Sequence, residues 1–98
     1  MARIQIEADA QGAVLDMVKE AIAAEIKRLE IGLLRTERLL AEREKKYGIS
    51  SELFLEQYAA EDLAGGDQEY MEWAGEVQIL ARITDDLRRL KAIEYVAH

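Results

Sequence analysis

The chain has no cysteine and no proline, and its one histidine is the last residue, His98. Without cysteine there are no disulfides and no thiolate metal sites. Without proline nothing in the sequence forces a helix to break. A single terminal histidine leaves a nucleophile no obvious base. It also rules out a ferritin-like di-iron site, which needs a Glu-x-x-His repeat on facing helices. No apolar run approaches the roughly 20 residues of a membrane-spanning helix. The start, Met1-Ala-Arg-Ile4, lacks the apolar block of a signal peptide, so a cytoplasmic protein is expected.

Basic residues are the minority charge: 13 Lys and Arg against 20 Asp and Glu give a net charge of −7. That balance repels nucleic-acid phosphates unless the cations cluster, and it suits solubility or a basic protein partner. Arg82, Arg88, Arg89 and Lys91 interleave with Asp85 and Asp86 and read as a salt-bridged helix face. Gly65-Gly66 is followed by Asp67 and Glu69, so it is no phosphate cradle. Glu61, Asp62, Asp67, Glu69 and Glu72 lack the ligand spacing and glycine of an EF-hand and read as a capped loop with a solvated helix start. Ser50 and Ser51 have no histidine near them in sequence. No catalytic, metal-binding or cofactor-binding residue is assigned, and a non-enzymatic protein is expected.

What the sequence does hold is helical periodicity. Half the residues are hydrophobic and a third charged, with Ala, Glu, Leu, Arg and Ile abundant. A length of 98 residues makes one domain, 1–98. Its expected parts are a strand or flexible arm over 1–9, a first helix over 10–47, a short helix over 50–60 and a third helix over 67–96. The fold class is all-α: an antiparallel hairpin of two long helices with a short connecting helix.

The first stripe runs Leu15, Val18, Ile22, Ile26, Leu29, Leu33 and Leu40. Leu15/Ile26, Val18/Leu29 and Ile22/Leu33 are each eleven apart, so little supercoil is expected. Val14, Ile31 and Leu34 widen the stripe, which suggests more than one neighbour. The run from Ala13 to Tyr47 would be about 52 Å long at about 1.5 Å per residue. A compact chain of this size has a radius of gyration of about 13 Å. The helix must therefore lie against something equally long. The third helix supplies it, with a stripe of Tyr70, Trp73, Val77, Leu80, Ile83 or Thr84, Leu87 and Leu90. One hairpin covers one side of each wide stripe, and a dimeric helical bundle would cover the rest.

The punctuation is specific. Asp9 is placed to cap the first helix and Asp67 the third. Gly48 suits a left-handed helix end, Ser50 caps the next helix, and Ile49 with Phe54 makes a hydrophobic staple. This helix-turn-helix corner does not read DNA, because Ser51 to Tyr58 holds no basic residue. At the N-terminus Ile4, Ile6 and Ala8 alternate with Arg3, Gln5 and Glu7, as in a half-buried strand. No second strand is evident in the sequence. This one must then pair with its copy, join a partner's sheet, or fray.

Two stretches resemble a known family. Lys46-Tyr-Gly-Ile-Ser-Ser-Glu-Leu-Phe-Leu55 and Gly66-Asp-Gln-Glu-Tyr-Met-Glu-Trp73, with a Leu/Arg-rich last helix, resemble small prokaryotic helical proteins that look like antitoxin partners of RelE-like RNase toxins. Those proteins carry a Lys-Tyr-Gly-Met-Ser-x-Glu-Glu-Phe corner and an Asp-x-Asp-x-x-Glu-Trp helix start. Here Ile49 stands for the Met and Leu53 for the second Glu. The resemblance covers about residues 44 to 92. It implies an acidic antitoxin that occludes the basic RNA-binding surface of a toxin, and it carries no catalytic residue across.

The expected function is that of a protein-binding module, an antitoxin first. The alternatives are a self-associating helical scaffold and a ribbon-helix-helix repressor reading DNA through Arg3 and Gln5. Candidate interface residues are Ile4, Ile6, Leu15, Val18, Ile22, Ile26, Leu29, Leu33, Tyr70, Trp73, Val77 and Leu80. The expected partners are a second copy and a basic toxin, with no membrane.

Overall fold

A computed structural model describes residues 2–6 and 12–97. The order is β1 (Arg3–Ile6), α1 (Ala13–Tyr47), α2 (Ser51–Gln57), a single 3-10 turn (Ala60–Asp62), α3 (Gly66–Lys91) and β2 (Glu94–Ala97). The protein is mostly helical, as the periodicity implies. The proposed cap Asp9, and His98, lie outside the described residues.

The C-terminal end departs from the expected third helix over 67–96. The third helix stops at Lys91 rather than continuing to 96, and Glu94–Ala97 forms a second strand. β1 and β2 pair in parallel, with Arg3 opposite Glu94, Ile4 opposite Tyr95 and Gln5 opposite Val96. The N-terminal strand is therefore not alone. Tyr95 and Val96 are good strand formers, but a four-residue partner about ninety positions away leaves no local trace.

The contacts gather into two compact units, Met1–Gly32 with Ile83–His98, and Leu33–Arg82. In the first, the start of α1 runs antiparallel to the end of α3. Leu15, Leu29 and Leu87 are buried there. Ile83 packs over Gly32, and the Lys91 ammonium lies 3.2 Å from Glu30. The Lys19 ammonium stands 5.4 Å from the centre of the Tyr95 ring, tying α1 to the sheet. The second unit holds the aromatic core: Leu40, Phe54, Leu63 and Trp73, with Tyr47, Ile49, Tyr58, Tyr70, Val77 and Leu80 packed around them.

The corner between α1 and α2 forms as its residues dictate. Gly48 has φ +68°, and the N–H groups of Gly48 and Ile49 both donate to the Glu44 carbonyl. Ser50 accepts from the Leu53 N–H at 3.1 Å. The Glu44 carboxylate adds a tie that the pattern does not announce, accepting from the Ser51 N–H at 2.7 Å. At the start of α3 the expected cap moves: the helix begins at Gly66, and Asp67 lies in its first turn.

Candidate partner-binding surface

Trp73 is fully buried within its own chain. Its ring stacks on Phe54 at 3.9 Å between centroids and 3° between planes, and on Tyr47 at 5.6 Å. The indole N–H donates to the Ser51 hydroxyl at 2.9 Å, so the one polar atom of the ring is satisfied. This clamps α2 between the two long helices. Trp73 therefore serves the core, and any surface offered to another protein is carried by other residues.

Among the described residues Glu69 is the most heavily engaged polar group. It is only 7% exposed. One oxygen accepts from the Tyr47 hydroxyl and from the Gly65 N–H at 2.9 Å. The other accepts from Arg43 at 3.0 Å and Lys46 at 2.9 Å. The Tyr47 hydroxyl first, then Lys46 and the Gly65 N–H, hold its pKa down to about 2. Glycine at 65 is required by this packing, because a Cβ there would lie 2.7 Å from the Glu69 Cβ. The acidic cluster of the sequence thus resolves into structural duties. Glu72 pairs with Arg43 at 2.9 Å, and Asp62 accepts from the Ala59 N–H at 2.8 Å. Among the described residues no group of three or more His, Asp or Glu side chains is placed to hold a metal ion.

Glu76 is a contrasting case. One of its carboxylate oxygens is buried without a hydrogen-bond partner among the described residues. Burial raises its pKa, against the pull of Arg43 and Arg35 and with the push of Glu72 and Glu42. An acid with a raised folded-state pKa loses stability as pH rises through that value. Glu76→Gln is therefore expected to be more stable than wild type at pH 7, with the gain disappearing near pH 4. Urea midpoints at the two pH values check this.

Two features of the surface face outward. In the second unit an open groove of about 440 Å³ has a floor of Leu40, Val77 and Leu80 and an acidic rim of Glu37, Glu44 and Glu52. In the first unit α1 carries a second apolar face. Met17 is 68% exposed, Ile31 63% and Val14 50%. Met17 follows buried Leu15, and Ile31 follows buried Leu29, by two residues, which is a turn of about 200° around the helix. Val14, Met17, Ala21, Ala24 and Ile31 fall on one stripe at three- and four-residue steps, interrupted only by Arg28. All five are exposed. The extra apolar width of α1 is thus a separate face, turned away from the core.

The candidate interface residues divide accordingly. Leu15 and Leu29 are buried in the first unit, with Val18, Ile22 and Ile26 partly buried on the same stripe. Leu33, Tyr70, Val77 and Leu80 are partly buried in the second unit. Ile4 is partly buried in β1, and Ile6 stands in the same strand opposite Ala97. Most of the list is therefore occupied within the chain. Met17, with its neighbours Ala21 and Ala24, was missed, although their spacing from Val14 was available. A Met among alanines and charges carries little signal until its exposure is known.

No protein-family model matches the chain, and neither a curated protein nor a solved structure does. Among the described residues no helix is long and apolar enough to cross a membrane.

Proposed function

We propose that this chain is a non-enzymatic, cytoplasmic protein-binding module, the antitoxin of a pair in which it neutralises a basic RNase toxin by direct binding. The observation that carries the reading is the exposed apolar face of α1, at Val14, Met17 and Ile31. Apolar side chains repeated along one wet helix face mark an interaction site. The net charge of −7 and the acid-rimmed groove favour a basic partner over an acidic one. The antitoxin identity rests on the resemblance of the 46–55 and 66–73 stretches. α1 continues unbroken to Tyr47, and Arg3 is engaged by Glu94 at 3.2 Å, neither of which suits a ribbon-helix-helix repressor.

The reading predicts a basic nuclease gene beside this one, and the test is co-expression of the two. Wild type is expected to restore growth and to co-purify with the nuclease. Continued toxicity would refute the reading. Met17→Asp with Ile31→Asp is expected to weaken the complex about 30-fold or more, the scale of a lost interface anchor. Because both side chains are exposed, the unfolding free energy of the free chain, from urea denaturation, should stay within about 0.5 kcal/mol of wild type.

A further inference from the structure

The groove of the second unit joins an apolar floor to charge of one sign. Its floor is Leu40, Val77 and Leu80, and its rim is Glu37, Glu44 and Glu52. No Lys or Arg lines it, in a chain that has 13 of them. Glu37 and Glu52 are exposed, and Glu44 is half-buried. Glu44 uses one oxygen to accept from the Ser51 N–H at 2.7 Å. Among the described residues none of the three carboxylates has an ion pair. In the same unit Glu69 and Glu72 are paired by Arg43, and Glu69 also by Lys46. The chain thus neutralises those acids from within and leaves the rim carboxylates to water or to a ligand.

The spacing says what shape fits. Glu37 and Glu44 are seven residues apart on α1, with Leu40 between them. Seven residues are about two turns of helix, or about 10.5 Å. A helix laid along α1 with cations at positions i and i+7 spans the same length. Its apolar residues at i+3 and i+4 then meet the floor. The groove volume of about 440 Å³ is close to one turn of a helix roughly 10–12 Å across, so it takes one face of such a helix.

The charge selects the occupant. A second copy of this chain carries the same net charge of −7 and is repelled. The phosphates of a nucleic acid or an anionic lipid are repelled for the same reason.

We infer that the groove docks a basic amphipathic helix of a protein partner, with apolar anchors on Leu40, Val77 and Leu80 and Lys or Arg against Glu37, Glu44 and Glu52. This rests on the reading of the chain as a binder of a basic protein, and it adds a second docking surface to the α1 face. The exposed rim charges set which partner is accepted and how fast it arrives, and the floor holds it.

The probe is a synthetic helical peptide of about 15 residues, a Leu stripe flanked by Lys, titrated by calorimetry into the full chain. Wild type is expected to bind it one-to-one, more tightly at low salt than at high salt. The same peptide with Ser for each Leu, or Glu for each Lys, should bind at least about tenfold more weakly. Glu37→Lys with Glu52→Lys is expected to weaken binding of the Leu–Lys peptide at least about tenfold. Glu20→Lys with Glu61→Lys changes the net charge equally, outside the groove, and should weaken it less than about threefold. All four positions are exposed, so both variants are expected to fold. No binding by wild type, equal weakening by the two double variants, or equal binding of the Ser peptide would overturn the proposal. Rescue from the nuclease without peptide binding would discard the groove alone. Peptide binding without rescue would discard the antitoxin reading alone.

Discussion

Trp73→Ala is expected to lower the unfolding free energy by about 3–5 kcal/mol, the range for truncating a buried aromatic ring. The loss follows from geometry. Removing the indole takes away the surface on which Phe54 and Tyr47 stack. It also leaves the Ser51 hydroxyl, in a residue only 8% exposed, without the N–H it receives. A small domain holds about 5–15 kcal/mol in total, so the substitution should come close to unfolding it. Ser51→Ala separates the two causes. It keeps the ring stack and removes only the hydroxyl that accepts the indole N–H, for about 1–2 kcal/mol. Urea denaturation followed by circular dichroism measures both. A Trp73→Ala protein as stable as wild type would show that α2 is held by something other than this clamp.

Glu69→Gln is the second large expected effect, about 2–3 kcal/mol at pH 7, from hydrogen bonds to a charged acceptor that is mostly buried. The amide keeps the shape but turns one oxygen into a donor, facing groups that are themselves donors. The pH dependence identifies the cause. Glu69 has a folded pKa of about 2 against an ordinary value of 4.5. The folded chain therefore binds fewer protons than the unfolded one in this range. The stability from Glu69 is complete above its unfolded pKa and is lost as pH falls from 4.5 toward 2. Wild type should thus weaken over that window by more than Glu69→Gln does. Parallel curves for the two proteins would place the acid sensitivity elsewhere.

Local chemistry was readable in the sequence, and long-range pairing was not. The corner at Gly48 and Ser50 follows from turn and capping rules that act within a few residues, and it forms as those rules require. The two long helices follow from period alone. Glu69 looked like an ordinary acid in the first turn of a helix. Its donors Tyr47, Lys46 and Arg43 are 22, 23 and 26 residues earlier and converge only when the chain folds. The pairing of β1 with β2 is hidden for the same reason, and the residues of β2 also continue the helical pattern of α3 closely enough to be read with it. In sequence Trp73 fitted the core stripe first and an interface anchor second. The stacking partners Phe54 and Tyr47, which come from two other helices, decide for the core.

The same distinction bears on function. Val14 and Ile31 were legible as excess apolar width on α1. Which side of the helix the core would take was set by α3, and only then did Val14, Met17 and Ile31 become a surface.

The account predicts an RNase encoded beside this chain, and its most direct test is a titration of that enzyme, once purified, reading cleavage of a defined RNA while this chain is added. The account predicts that cleavage falls to background near a one-to-one ratio. It also predicts that the Met17→Asp, Ile31→Asp variant, folded as wild type, has an inhibition constant about 30-fold higher when measured with the enzyme dilute relative to that constant. Undiminished cleavage at a large excess of wild type, or equal inhibition by the variant, would contradict it.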